Sequence, residues 1–110
     1  MEINIHNKRT SNPIDGVYIG RPSVLGNPFS HLKGTLADYS VSSRDEAVDR
    51  YETWLRSEIK TNKVVIKEMR KLYKKFVDSG CLNLVCWCYP ARCHGDIIKK
   101  LILEKYNNGN

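Results

Sequence analysis

The chain has 110 residues, of which 41% are hydrophobic and 27% are charged, and these proportions exclude a disordered or fibrous protein. Lysine and arginine number 18 against 12 acidic residues, and the resulting net charge of +6 favours anionic partners. This length provides for one hydrophobic core. We therefore expect a single domain over residues 1–106 and a frayed tail at residues 107–110.

Two short strands begin the predicted fold. Residues 2–6 alternate polar with apolar side chains, and residues 16–19 form an apolar segment between a turn and Gly20. Residues 21–42 show no sustained period and contain several glycines and prolines. This composition predicts a long loop, and loops of that length in a compact domain are usually functional.

Two helices, a strand and a last helix follow. Residues 43–46 form a capping box that begins the first helix, and the second helix ends at Gly80, where a C-terminal glycine belongs. Residues 82–88 are largely apolar on both faces, which predicts a central strand covered on each side, before the last helix reaches Tyr106. This order predicts a small Rossmann-like open α/β sheet, mainly parallel and flanked by helices.

The loop at residues 20–29 is the first candidate site, because ligands of open α/β sheets collect beyond the carboxyl ends of strands. Arg21 offers a forked set of donors to a phosphate or carboxylate, and Ser23 adds a hydroxyl. Asn27 and Phe29 supply an amide and a ring for a base or sugar. The expected ligand-binding residues here are Gly20, Arg21, Pro22, Ser23, Gly26, Asn27 and Phe29. A rigid turn with a surface arginine is the alternative interpretation.

The junction at residues 86–96 is the second candidate site, with the sequence CWCYPARCHGD. Its end falls at the start of the last helix, where free backbone amides bind anions and lower the pKa of a thiol. We expect Trp87 and the amide of Gly95 to contact the ligand. The candidate catalytic residues are Cys93, His94, Asp96 and Cys88, and packing or helix capping is the alternative role of each.

A zinc site is a further alternative at this junction. The four possible ligands are Cys86, Cys88, Cys93 and His94. Sulfur atoms on one zinc ion lie within ~4 Å of each other, whereas alternate residues of a regular strand stand ~6.6 Å apart. We therefore favour neither a metal nor any other cofactor.

The second predicted helix is strongly basic away from its apolar stripe, and within that stretch only Glu68 offsets the charge. Such a run is typical of a solvated face. It also suits contacts with a nucleic-acid backbone, which need charge and specify no sequence. The residues are Lys63, Lys67, Arg70, Lys71, Lys74 and Lys75.

Both candidate sites resemble one protein family. The matching residues are VYIGRPSVLGNPF at 17–29, Ala47, Tyr51, Trp54, Leu55, LVCWC at 84–88, Pro90 and CHGD at 93–96. This pattern is similar to domain of unknown function 4326, a family of bacteria and their phages without an established activity. The turn at residues 90–94 also resembles that of domain of unknown function 488, which implies a Rossmann-like architecture and a nucleotide ligand.

These features together predict binding of a phosphate-bearing small molecule, a nucleotide or nucleotide derivative, where the 20–29 loop meets the 86–96 junction. A phage protein of this kind could sequester a nucleotide signal in the host cytoplasm without turnover. An enzyme acting through Cys93 and a zinc-stabilised or basic nucleic-acid-binding module are the alternatives. We expect a cytoplasmic protein with reduced cysteines and no membrane partner, because no apolar run approaches the ~20 residues of a membrane helix.

Overall fold

The computed structural model describes residues 2–30, 39–89 and 91–109, so the predicted turn residue Pro90 lies outside the described part of the chain. The elements in chain order are β1 (Glu2–Asn7), β2 (Val17–Tyr18), β3 (Phe29–Ser30), β4 (Tyr39–Ser40), α1 (Arg44–Thr61), α2 (Lys63–Ser79), β5 (Cys81–Cys86) and α3 (His94–Gly109). Within these ranges the fold is α/β, with three helices and small parallel sheets.

The larger sheet has the strand order β1-β5-β2, and both strand pairs are parallel. Ile5 and Val17 are both paired with Leu84 of the central strand. Because the strands are parallel, their carboxyl ends lie at one edge of the sheet. The chain segments that follow β1, β2 and β5 therefore meet there.

The second sheet pairs β3 with β4, also in parallel, with Phe29 opposite Tyr39. The sequence analysis placed this region in a continuous loop, and that prediction is wrong for these residues. Each strand has only two residues, which is too short for a period of two to be recognised.

One face of β5 forms the core. Leu82, Leu84 and Cys86 pack with the buried residues of all three helices in one hydrophobic cluster. The opposite face carries Asn83, whose Oδ1 lies 2.9 Å from Nε2 of His6. The prediction of an apolar strand on both faces is therefore only partly right, because this second face is polar at its middle.

The helix boundaries follow local capping. The Ser43 hydroxyl accepts a hydrogen bond from the Glu46 amide at 3.1 Å, as the capping box predicts, and Gly80 ends α2 in the left-handed conformation with φ 76°. Helix α3 continues to Gly109. Residues 107–109, which the sequence assigned to a frayed tail, form the end of this helix. None of the helices in the described ranges is long and apolar enough to span a bilayer.

Candidate functional site

A cavity of about 240 Å³ lies at the carboxyl edge of the larger sheet, where the segments after β2 and β5 meet the first turns of α1 and α3. Carboxyl ends of parallel strands are the usual ligand-binding edge of such sheets. The lining residues are Tyr18, Gly20, Arg21, Asn27, Phe29, Ser30, Arg44, Ala47, Val48, Trp87, Cys88, Arg92, Cys93 and His94.

The cavity brings together the two segments singled out from the sequence. The predicted residues that line it are Gly20, Arg21, Asn27, Phe29, Trp87, Cys88, Cys93 and His94. The remaining predicted residues, Pro22, Ser23, Gly26, Gly95 and Asp96, are not among its lining residues. Pro22, Ser23 and Gly26 lie in the turns that follow Gly20, and Gly95 and Asp96 lie in the first turn of α3.

Sequence reasoning predicted the helix that carries Arg44 but did not identify Arg44 as a residue of the cavity. Arg44 is the first residue of α1, and Ala47 and Val48 line the cavity from the next turn. The capping serine Ser43 marked this helix start in the sequence. Nothing local, however, indicated that it would lie opposite the 86–96 junction.

The cavity wall is positively charged. Arg92 forms ion pairs with Asp45 at 3.1 Å and with Asp49 at 2.8 Å. Arg21 and Arg44, in contrast, have no ion pair within the described ranges, and none of the described lining residues is acidic. Two guanidinium groups are therefore left without an anionic partner at this wall.

Arg21 is held in place by one of its terminal nitrogens. Its Nη1 donates to the carbonyl oxygen of Asn27 at 2.9 Å and to that of Phe29 at 3.3 Å. Its Nε and Nη2 make no hydrogen bond within residues 2–30, 39–89 and 91–109. The guanidinium is thus oriented by the loop and keeps donors for a ligand.

Asn27 has a structural role that differs from its predicted contact with a ligand. Its Nδ2 donates to the carbonyl oxygen of Ala47 at 3.1 Å, and its Oδ1 accepts from the amide of Phe29 at 2.9 Å. These two hydrogen bonds of the Asn27 side chain connect the 20–29 loop to α1. The Phe29 ring in turn stacks on Tyr39 with a centroid distance of 5.2 Å.

Ser23 does not contact the cavity, so its predicted role as a hydroxyl donor to an anion is not supported. Its Oγ is buried without a hydrogen-bond partner among the described residues. Gly26 lies in the same turn, where its amide bonds to the Ser23 carbonyl at 2.9 Å. A Cβ atom on Gly26 would lie 2.9 Å from the Cα of Arg21. Glycine is therefore needed there for the close approach of the two backbones.

The family model described as "Domain of unknown function (DUF4326)" matches residues 3–104. The chain belongs to this family. Neither the curated proteins nor the solved structures compared with the chain gave a significant match. In this DUF4326 member, the two stretches whose motifs resembled the family, at residues 17–29 and 84–96, both contribute to the cavity wall.

His94 is the first residue of α3 and is buried. Its Nε2 lies 2.6 Å from the carbonyl oxygen of Ile19, which can only accept, so Nε2 carries the proton. Burial lowers the pKa of His94 to about 4, against the smaller opposing effect of the bond to Ile19. The imidazole of this DUF4326 protein is therefore neutral near pH 7 and is a weak base.

Cys93 does not have the activated thiol that its place before a helix predicted. The Cys93 and Cys86 sulfur atoms lie 3.3 Å apart. This hydrogen bond and then burial raise the pKa of Cys93, and they outweigh the lowering effect of the Gly95 amide. The Cys93 thiol therefore stays protonated at neutral pH, which disfavours it as a nucleophile.

Cys88 is the other thiol at the cavity wall. Burial, followed by the nearby Cys86, raises its pKa, while Arg44 and Arg21 act in the opposite direction. Asp96 faces elsewhere, and its Oδ2 accepts a hydrogen bond from the Cys93 amide at 3.2 Å. Asp96 thus caps α3, and of the four candidate catalytic residues it is the one outside the cavity wall.

The zinc alternative is not supported by the arrangement of its four possible ligands. No group of three or more histidine, cysteine, aspartate or glutamate residues in the described ranges is placed to hold a metal ion. The Cys86 and Cys93 thiols form a hydrogen bond with each other, and His94 forms a hydrogen bond with the carbonyl oxygen of Ile19. The two cysteines and the histidine therefore take part in separate interactions and do not converge on one point.

Proposed function

We propose that this protein binds a phosphate-bearing small molecule, a nucleotide or nucleotide derivative, in the 240 Å³ cavity. The observation that carries the proposal is the pair Arg21 and Arg44. Both line the cavity, and neither has an ion-pair partner within the described residues. A guanidinium group matches the geometry of a phosphate with two parallel hydrogen bonds.

Two helix N-termini add to the same preference. Helix α1 begins at Arg44 and helix α3 begins at His94, and both residues line the cavity. The positive ends of both helix dipoles therefore lie near its wall. An anion is stabilised at such a position by the dipole and by unpaired backbone amides.

Aromatic residues favour a nucleotide over a simple phosphate. Tyr18, Phe29 and Trp87 line the cavity, and aromatic rings offer flat faces to a nucleobase.

The parallel strand order and the cavity at the carboxyl ends of the strands support a Rossmann-like relationship, which we include in the proposal. Binding without turnover, as in sequestration of a nucleotide signal, needs none of the thiols to be activated.

The α2 surface supports a second candidate function, contact with a nucleic-acid backbone. Lys63, Lys67, Arg70, Lys71 and Lys74 line one concave surface together with Ile66. Lys71 pairs with Glu68 and Lys74 with Asp78. The others in this group have no ion pair within residues 2–30, 39–89 and 91–109. Lys75 differs, because it donates to the carbonyl oxygen of Asp15 at 2.8 Å.

The test is a thermal-shift screen with the ribonucleoside 5′-mono- and triphosphates, followed by titration calorimetry. A nucleotide present at ~100 times its dissociation constant should stabilise the fold by about 2.7 kcal/mol. We expect Arg21→Ala and Arg44→Ala each to weaken binding by about tenfold or more, since a hydrogen bond to a charged group contributes ~1.5–3 kcal/mol.

Arg50→Ala is the matched control. Arg50 also lies on α1, but its side chain is exposed, pairs with Glu46 and does not line the cavity. Its removal should leave nucleotide affinity unchanged. The proposal is wrong if no nucleotide binds, or if the Arg21 and Arg44 variants bind as tightly as the Arg50 variant. Salt-sensitive binding of DNA or RNA in the absence of nucleotide binding would favour the α2 surface.

A further inference from the structure

Two aromatic rings form part of the cavity wall and also reach solvent. The indole Nε1 of Trp87 donates to the Tyr18 hydroxyl at 3.0 Å, and that hydroxyl donates to the carbonyl oxygen of Arg21 at 2.7 Å. Trp87 is nonetheless 51% exposed. We call Tyr18 and Trp87 the aromatic pair. Its rings are fixed by hydrogen bonds and present open surface on which a base can stack.

Two cations lie against the aromatic pair outside the cavity. Lys8 Nζ is 4.6 Å from the Tyr18 ring centroid and 5.5 Å from that of Trp87, and Arg9 Cζ is 5.9 Å from the Trp87 ring centroid. Lys8 and Arg9 are exposed and do not line the cavity. Neither has an ion pair within the described ranges.

The position of these cations is set by the backbone. The Lys8 amide donates to the carbonyl oxygen of Cys86 at 2.7 Å, which continues the pairing of β1 with β5. The Asn7 side-chain nitrogen donates to the carbonyl oxygens of Trp87 at 3.1 Å and Tyr89 at 2.8 Å. The segment after β1 is therefore fastened to the segment that carries Trp87.

The size of the cavity decides which part of a ligand fits inside it. A volume of about 240 Å³ is smaller than the ~300–1,000 Å³ of pockets that enclose drug-sized ligands. In the proposed binding mode, the first phosphate lies near Arg21 and Arg44, and the base lies against the aromatic pair at the rim. A second phosphate on the sugar, directed out of the cavity past the aromatic pair, would approach Lys8 and Arg9.

We propose that the ligand carries a second phosphate, and that Lys8 and Arg9 bind it outside the aromatic pair. The ligand class is a nucleoside with a phosphate on each side. Such a unit is found in a free nucleoside 3′,5′-bisphosphate and within a short single strand of nucleic acid. The proposal rests on the proposed function, because the first phosphate occupies the cavity.

The experiment compares three probes by titration calorimetry at constant ionic strength. The probes are the ribonucleoside 5′-monophosphates, the corresponding 3′,5′-bisphosphates and 5′-phosphorylated dinucleotides. We expect the wild-type protein to bind the bisphosphate at least ~5-fold more tightly than the monophosphate, the size expected for two exposed charge pairs. The Lys8→Ala/Arg9→Ala double variant should lose this difference and keep its affinity for the monophosphate.

Lys60 of α1 and Lys99 of α3 do not line the cavity or contact the aromatic pair. Lys60→Ala/Lys99→Ala is therefore the control with the same change in net charge, and it should retain the preference for the bisphosphate. Trp87→Ala should weaken binding of both nucleotides, whereas Trp87→Phe should retain a ring and most of the affinity. Dinucleotide binding that depends on Lys8 and Arg9 identifies a strand as the source of the ligand. Bisphosphate binding without dinucleotide binding identifies the free nucleotide.

The outcomes separate the two proposals. Equal affinity of the wild-type protein for monophosphate and bisphosphate overturns the second-phosphate site and leaves the proposed function standing. A preference for the bisphosphate that survives in the Lys8→Ala/Arg9→Ala variant also overturns it. The proposed function itself is contradicted if the monophosphate does not bind, or if it binds equally well to wild type and Arg21→Ala.

Discussion

The Nε2 atom of His94 lies 2.6 Å from the carbonyl oxygen of Ile19, and this contact joins the first residue of α3 to the residue that follows β2. The Ile19 amide donates to the Val85 carbonyl of the central strand at 3.0 Å. Ile19 therefore connects the sheet to the helix at the cavity wall. This geometry requires a proton on Nε2, and burial of the side chain keeps the imidazole neutral.

Protonation of His94 should destabilise the fold. Burial lowers its pKa to about 4, from 6.5 in the unfolded chain. Between these values the unfolded chain binds a proton that the folded protein does not, so stability is full above pH 6.5 and is lost as the pH falls toward 4. For this residue we expect a loss of about 2 kcal/mol between pH 7 and pH 4.5.

Urea unfolding of wild type and His94→Gln at both pH values measures this loss. The glutamine amide can still donate to the Ile19 carbonyl but does not titrate, so the variant should lose about 2 kcal/mol less than wild type. Ile98→Val, a change in the core of α3, controls for general destabilisation and should retain the wild-type pH dependence. An equal loss in wild type and His94→Gln would show that His94 does not titrate in this way.

Local signals in the sequence predicted the elements of the fold well. The capping box at Ser43, the helix-ending Gly80 and the alternation around Ile3 each act within a few residues, and the structure confirms them. Membership in DUF4326 was also predictable from the motifs. The strand pair β3–β4 was not, because two-residue strands depend on their partners and carry almost no pattern of their own.

The chemistry of the site depends on contacts that no local pattern shows. The helix start predicted a lowered pKa for Cys93, but Cys86 lies 3.3 Å away once strand, turn and helix have packed together. The amide of Asn27 is likewise occupied by Ala47, 20 residues later in the chain. Sequence reasoning found the segments of the cavity, and tertiary packing determined what each side chain does there.

The four cysteines should differ in their reactivity toward iodoacetamide. Cys86 and Cys93 are 1% and 2% exposed, and they should resist modification in the folded protein. Cys81 and Cys88 are partly exposed, and both should be modified over time. Peptide mass mapping after a time course at pH 7.5 measures each rate separately.

A bound nucleotide should protect one of these two thiols. Cys88 lines the cavity, whereas Cys81 is the first residue of β5 and does not line it. Saturating nucleotide should therefore slow modification of Cys88 several-fold and leave the rate at Cys81 unchanged, so that Cys81 is the internal control. Equal protection of both thiols would indicate general stabilisation, and no protection of Cys88 would place the ligand elsewhere.

Tyr51 should stabilise the 20–29 loop through one hydrogen bond. The side chain is fully buried in α1, and its hydroxyl donates to the carbonyl oxygen of Leu25 at 2.7 Å. Burial, followed by the nearby Cys93, raises the pKa of Tyr51, so the hydroxyl is protonated and remains a donor at neutral pH. Tyr51→Phe removes the donor and leaves a carbonyl oxygen unpaired, which costs ~1–3 kcal/mol in free energy of unfolding.

Urea unfolding of Tyr51→Phe should show this loss. Tyr106→Phe, at an exposed tyrosine of α3, is the control and should change stability by less than ~0.5 kcal/mol. Similar stabilities of the two variants would mean that the Tyr51 hydroxyl does not hold the loop.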